Sequence, residues 1–181
     1  TDRQWASLAE IPEDLVNAAI AIEDKRFYEH QGVDWITTVK ACARMFFNDA
    51  SAGGSTITQQ LIKNITTYDD VTVKRKVVEI FRALEFDKTY GKETTLEWYL
   101  NYIYLGSKCR GVGAASYEYF GKHVSELSLA ECASLISITN NPSIYGPYSD
   151  LKMNKKLKNG EVELWTAKQW NKWRQENVLY N

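Results

Sequence analysis

The sequence has 181 residues and a mass of 20.8 kDa, the size of one ordinary domain, long enough to bury roughly two thirds of its unfolded surface without staples. With 22 basic and 23 acidic side chains its formal net charge is -1, so no global positive field holds nucleic acid and any anionic ligand must be met by a local cluster. Apolar residues at 44% and charged ones at 25% are an ordinary globular mixture, which excludes a disordered, collagenous or coiled-coil chain.

Prolines are confined to Pro12, Pro142 and Pro147, so helices are permitted from Glu13 to Asn141. Leu15, Ala18, Ala19 and Ile22 recur at helical spacing. In AIEDKRFYEHQGVD, residues 21–34, a continuing helix sets Glu23, Phe27 and His30 at i, i+4 and i+7, one stripe that Gly32 stops. A carboxylate bordered by an aromatic ring and an imidazole suits a general base, although a lone Glu or His on a helix is more often solvated or structural.

The next helix carries Trp35, Ile36, Val39, Cys42, Ala43, Phe46 and Phe47. Its stripe Trp35, Val39, Ala43, Phe46 and Phe47 faces either the core or a lipid surface, with Lys40 and Arg44 opposite. GGSTITQQLIKN, residues 53–64, puts two glycines and two hydroxyl residues ahead of a helix predicted over 57–65. Free N–H groups at the positive end of a helix dipole suit an anion. Gln59, Gln60 and Lys63 are expected to project along one side of it. The segment lacks the spacing of a P-loop or a Rossmann turn.

A helix over 72–88 sets Arg75 and Glu79 at i, i+4, with Arg82 and Lys88 beyond, a spacing that surface ion pairing explains cheaply. Gly91 ends it, and Thr94 or Thr95 caps the next helix, 93–104, before Gly106. Leu96, Tyr99, Leu100, Ile103 and Tyr104 form its apolar face, and Glu97 with Asn101 braces a neighbouring loop. Helices over 112–120 and 128–139 follow, the latter opened by a Ser128–Glu131 capping box. Residues 142–150 read as turns, the four lysines of 152–158 as a solvated surface, and Trp165 to Tyr180 as a last helix. Cys42, Cys109 and Cys132 lie far apart without a CxxC pair, which signals neither zinc nor a redox site. No run approaches the roughly 18 apolar residues that span a bilayer, and the opening TDRQWASLAE is no signal peptide. The pattern predicts a mainly α-helical domain.

Taken together, the motifs resemble one family, the peptidoglycan glycosyltransferases of class A penicillin-binding proteins and their monofunctional relatives. The pattern EDxxFxxHxGxD is met by Glu23, Asp24, Phe27, His30, Gly32 and Asp34. GGSTITQQ is met without change from Gly53 to Gln60, followed by Lys63 and Asn64. RKxxE is met by Arg75, Lys76 and Glu79, and YLN by Tyr99, Leu100 and Asn101 ahead of Gly106. Ala133, Ser134 and Leu135, followed by Pro142 and Pro147, are similar to a fifth motif. The likeness runs from about Ile11 to Asp150. Where the family usually has Leu-Glu after the third motif, this chain has Phe86-Asp87, and residues 151–175 fit poorly.

The resemblance implies an all-α, lysozyme-like fold with a smaller membrane-proximal jaw. It implies an enzyme that polymerises lipid II by inverting transfer, the GlcNAc 4-hydroxyl attacking MurNAc C1 as undecaprenyl diphosphate leaves. By the same likeness Glu23 is the base and Glu79 organises the cations or the donor's leaving group. Asp24, Phe27, Ser55, Thr56, Gln59, Gln60, Lys63, Asn64, Arg75 and Lys76 surround the substrate. No cofactor is required, no metal ligand is named, and a divalent cation, Mg or Mn, stays open at Glu79. The implied partners are lipid II, the growing lipid-linked strand, the membrane surface and moenomycin-type inhibitors, but not nucleic acid. The whole chain is expected to be a single domain cut from a longer protein with a membrane anchor, on the extracytoplasmic face of a bacterial cytoplasmic membrane, and a transpeptidase domain in that protein stays open. Local charge agrees: residues 1–50 hold five basic and nine acidic side chains, and residues 63–92 seven and five. Two other readings stay open, a lysozyme-like glycan hydrolase or lytic transglycosylase, and a non-catalytic module that binds lipid-linked saccharide.

Overall fold

The computed structural model describes residues 4–46, 54–66, 73–147, 152–156 and 162–166. Helix α1 (Glu13–Glu23) follows Pro12, with Glu13 and Asp14 in its first turn, where carboxylates complement the helix dipole. Helices α2 (Trp35–Phe46) and α3 (Ile57–Ile65) come next. The longest element, α4 (Val73–Tyr102), is two helices joined at Gly91, whose φ of 74° and ψ of -178° interrupt it. The glycine stop expected there is thus a break between halves. Thr95 does not cap the second half: its hydroxyl donates back to the Gly91 carbonyl at 2.7 Å.

Helices α5 (Val112–Phe120), α6 (Leu129–Ser137) and the short α7 (Pro142–Tyr145) complete the bundle, with tight turns at Val124–Glu126 and Ile138–Asn140. The Ser128–Glu131 capping box forms as predicted. The all-α architecture expected from the sequence holds, with one addition. Strands β1 (Lys152–Lys156) and β2 (Val162–Thr166) pair antiparallel, Lys152 opposite Thr166 and Lys156 opposite Val162. Trp165 therefore lies in a strand, not in a last helix, and residues 167–180 lie outside the described residues. Valine, tryptophan and threonine favour a pleated surface, a preference that the lysine-rich start of the hairpin hides in the sequence.

Leu15, Phe27, Ile57, Leu61, Leu96, Tyr99, Leu100 and Leu135 are fully buried in the main core. Each such aliphatic or aromatic side chain contributes about 1.5–3 kcal/mol. Helix α3 packs along α4, and α1 packs on α6. Tyr104, placed on the apolar face by its spacing, is instead exposed, because α4 ends at Tyr102 and the chain turns. Glu97 and Asn101 do brace a neighbouring segment. Glu97 accepts from Trp5 Nε1 and the Leu8 amide, and Asn101 bonds both backbone groups of Ala6. Cys109 and Cys132 are buried and free, burial pushing both thiols up, while the Cys42 side chain lies outside the described residues.

The predicted stripe of Glu23, Phe27 and His30 does not exist as a helical face. Helix α1 stops at Glu23, Asp24 takes φ -158° and ψ 73°, and the chain turns through the next residues. Gly32 closes this turn at φ +78°, where a Cβ would lie 2.4 Å from the Ala83 carbonyl oxygen of α4. Gly91 shares the sign of φ, at +74°, but has open space around it. Gly91→Ala should therefore lower unfolding stability by about 1–3 kcal/mol, strain alone, and Gly32→Ala by about 1–3 kcal/mol more, from overpacking against the Ala83 carbonyl. Urea unfolding of both variants checks the difference.

Candidate active site

Asp24 is 7% exposed and organises the site from behind. Its Oδ2 accepts the Ile57 amide at 3.0 Å, and His30 Nε2 lies 3.0 Å from both carboxylate oxygens. A carboxylate offers only acceptors, so Nε2 carries the hydrogen. The end of α1 is thereby tied to the start of α3. That start is itself fixed by a capping box: Thr56 Oγ1 accepts the Gln59 amide at 3.2 Å, and Gln59 Oε1 accepts the Thr56 amide at 3.0 Å. Thr56 Oγ1 also donates to the Gly32 carbonyl at 2.6 Å.

Glu23, one residue before Asp24, points the other way. Its Oε2 accepts from Gln60 Nε2 at 2.9 Å and its Oε1 from Thr139 Oγ1 at 2.5 Å. It opens on a cleft of about 390 Å³ that Asp24, Lys25, Arg26, Asp34, Thr37, Lys40, Ser55 and Thr56 help to line. Ser55 links this cleft to the third motif, because its Oγ accepts from Lys76 Nζ at 2.9 Å, and Lys76 pairs with Glu79 at 2.5 Å. Glu79 is buried and shares a second, small recess of about 20 Å³ with Lys63, Arg75 and Arg82. Glu23, bonded to Gln60, and Ser55, bonded to Lys76 and through it to Glu79, thus line one cleft, with Lys63 and Arg75 beside Glu79.

Other residues singled out in the sequence sit differently. Phe27 is 0% exposed in the core, under the Lys92 ammonium at 4.5 Å, so it packs beneath the site rather than surrounding a substrate. Gln59 is likewise 0% exposed and spends its side chain on the capping box, so it does not share the side of α3 that carries exposed Lys63. Asn64 is half-buried near the end of α3. Asp87, in the Phe86-Asp87 departure, is buried and paired with Lys92 at 2.8 Å. Gly53 lies outside the described residues, as does Phe47, and the side chains of Ala43, Arg44 and Phe46 are outside them too. On α2, Trp35 and Val39 are exposed, not core.

Sequence reading missed Thr139, Arg26 and Thr37, and placed Lys40 on a face without a role. Thr139 reaches Glu23 across 116 residues, beyond any local pattern. Tyr99 lies buried near Glu23 and Asp24; burial first, then those two carboxylates, push its phenol well above its usual range, so it is neutral.

The chain matches the family described as transglycosylase over residues 1–167. It belongs to that family. It is 41% identical over 144 residues to penicillin-binding protein 1A of Clostridium botulinum, covering 77% of this chain and 17% of that protein. It is 43% identical over 159 residues to penicillin-binding protein 1F of Bacillus subtilis, covering 85% and 22%. With penicillin-binding protein 1A of Escherichia coli the figures are 44% over 142 residues, 78% and 17%. The chain thus spans only about a fifth of the length of these relatives.

Asp34, on the cleft rim, caps α2: its oxygens accept the Thr37 amide at 3.0 Å, the Thr37 hydroxyl at 2.6 Å and Arg26 Nε at 3.0 Å. Burial alone would raise this carboxyl, but the bonds from Arg26 and Thr37 outweigh it and hold it well below the usual carboxylate range. Its stabilisation is complete above the unfolded value near 4 and fades as pH falls below that. Asp34→Asn should lower stability at neutral pH by about 2 kcal/mol. The gap to the natural protein should close as pH falls below about 4, which thermal melts across pH 2–7 check.

Proposed function

We propose that this domain is a peptidoglycan glycosyltransferase that polymerises lipid II into glycan strands. The observation that carries the reading is that Glu23 and Ser55 line one cleft, Ser55 being bonded to Lys76 and Lys76 to Glu79. Inverting transfer needs both of these groups. A base takes the proton from the acceptor GlcNAc 4-hydroxyl as its oxygen attacks MurNAc C1, and cations steady the diphosphate that departs with the bonding pair. Glu23 is the base, with Gln60 orienting it. Lys76, Lys63 and Arg75 meet the diphosphate, and Glu79 sets the position of Lys76. Ser55 and Thr56 bring backbone and hydroxyl groups to the cleft, Asn64 supplies a neutral hydrogen bond, and Asp24, Phe27 and Gln59 hold the frame from inside.

The residues around Glu79 do not fit a resident divalent ion. Glu79 is the carboxylate there, it is ion-paired to Lys76, and its neighbours Lys63, Arg75 and Arg82 are cations. Among the described residues no group of three or more His, Cys, Asp or Glu side chains comes together. No step here runs through a metal. The glycan-hydrolase alternative is less well supported, since it wants a second working carboxylate. Asp24 and Asp34, the other acids of the cleft, are both buried and engaged.

A polyprenyl substrate stays in the bilayer, so the domain must dock there. Exposed Trp35, Ile36 and Val39 on α2, the helix whose Thr37 and Lys40 reach the cleft, form the docking face of a membrane-proximal jaw. Among the described residues no helix is long and apolar enough to cross a membrane. The setting proposed is the extracytoplasmic face of a bacterial cytoplasmic membrane, within a longer protein that supplies an anchor and a transpeptidase domain. Moenomycin-type phosphoglycolipids would compete for the same cleft and cations.

Two measurements test these points. In a gel assay of lipid II polymerisation, Glu23→Gln should lower the rate roughly 10²–10⁴-fold, and a rate within threefold of the natural protein's would refute the assignment. Replacing Trp35, Ile36 and Val39 together by serine should reduce sedimentation with anionic lipid vesicles about tenfold or more while leaving the thermal midpoint within a few degrees.

A further inference from the structure

Glu23 is held at both carboxyl oxygens, and its two partners differ in kind. The Gln60 amide nitrogen, 2.9 Å from Oε2, can only donate. The Thr139 hydroxyl lies 2.5 Å from Oε1 and also 2.7 Å from the Ile136 carbonyl oxygen. A hydroxyl has one hydrogen, while an ionised carboxylate and a carbonyl are both acceptors. With Glu23 ionised, therefore, one of these two contacts is without a proton. With Glu23 protonated, both are complete hydrogen bonds.

The geometry points to Thr139 as a positioning residue for Glu23, its hydroxyl reversing direction with the charge of that carboxyl. The proposal rests on the reading of Glu23 as the base. In the ionised state Thr139 donates to Oε1. During transfer the acceptor sugar's O–H bond breaks as an O–H bond forms on the Glu23 carboxyl. The sugar oxygen's electron pair forms the new bond to C1, and the C1–diphosphate bond leaves with its own pair. The proton settles on Oε1, the oxygen whose partner is able to accept it. Oγ1 then accepts from Oε1, and the threonine hydrogen turns to the Ile136 carbonyl. No proton passes through the threonine. Its effect is that Glu23 keeps two partners and one orientation in both charge states, so the side chain need not rearrange at the moment of reaction.

The fold builds this contact from two elements. Helix α6 packs on α1, and the tight turn Ile138–Asn140 that follows α6 delivers position 139 to the last residue of α1. A purely local role for Thr139, closing the end of α6 through the Ile136 carbonyl, would affect stability and not turnover.

The test compares Thr139→Val, which keeps the shape, with Thr139→Ser, which keeps the hydroxyl, by kcat and KM for lipid II polymerisation and by thermal melting of the 181-residue chain. Thr139→Val should lower kcat roughly ten- to hundredfold, the range for a hydrogen bond to a charged group, with KM within about twofold. Thr139→Ser should recover most of it, and adding Thr139→Val to Glu23→Gln should cost nothing further. If Thr139→Val melts below the assay temperature, Thr139→Ala takes its place in the same comparison. A kcat within twofold of the natural protein's in Thr139→Val, or a loss that serine does not rescue, overturns the positioning role while leaving Glu23 as base. Full activity in Glu23→Gln overturns both.

Discussion

The buried carboxylate of Asp24 is the constraint on which the site depends. An ionised group out of water must be fully bonded or it unfolds its surroundings, and Asp24 meets this condition only by joining three pieces of chain. At the end of α1, its two oxygens bond His30 from the turn and the first amide of α3. Helix α1 therefore cannot continue past Glu23, and Glu23 and Asp24, adjacent in sequence, face opposite directions. The same clasp fixes where α3 begins, which sets Gln60 against Glu23 and Ser55 on the cleft.

The acids near the cleft divide by the kind of partner each has. Asp34 is paired with Arg26 and Asp87 with Lys92, and Asp24 has His30 and an amide. These pairs serve the frame. Glu23 is bonded by an amide and a hydroxyl, both neutral. A base gives up its charge during the reaction, and a cation held close to it would be stranded, unpaired and poorly solvated, as the charge disappears. Neutral partners lose far less at that moment. The cations of the third motif stand instead beyond Ser55, where the proposed reaction develops charge on the leaving group.

Most of the helical framework was legible in the sequence because the long proline-free stretch left apolar periodicity uninterrupted, and because Ser128 with Glu131 and Gly91 punctuate it locally. The candidate site was legible where a motif carries its own polar and charged residue types to the cleft or its rim, as with Glu23, Gln60, Lys76 and Glu79. It was misread where tertiary bonds override local pattern. The helical stripe through Phe27 and His30 failed because α1 is ended by an amide 33 residues away. Gln59 turned inward because its helix needed a cap more than an exposed amide. Thr139 carries no local signal, and only the packing of α6 on α1 brings it to Glu23.

The two ends of the proposed reaction are kept at a fixed separation by α4. Its first half carries Arg75, Lys76 and Glu79, while its second half buries Leu96, Tyr99 and Leu100 in the core beneath Glu23. Gly91 bends the element without loosening it, since both halves remain anchored: Ala83 packs against Val33 and Ile62, and Asp87 pairs with Lys92 across the bend. Helix α3 lies along α4 and presents Gln60 to Glu23. The cations and Gln60, the amide that bonds Glu23, are thus carried on one packed pair of helices. Preorganised charge acts without rearranging during the reaction only on such a support, and close-packed helices with few voids supply it better than loops do.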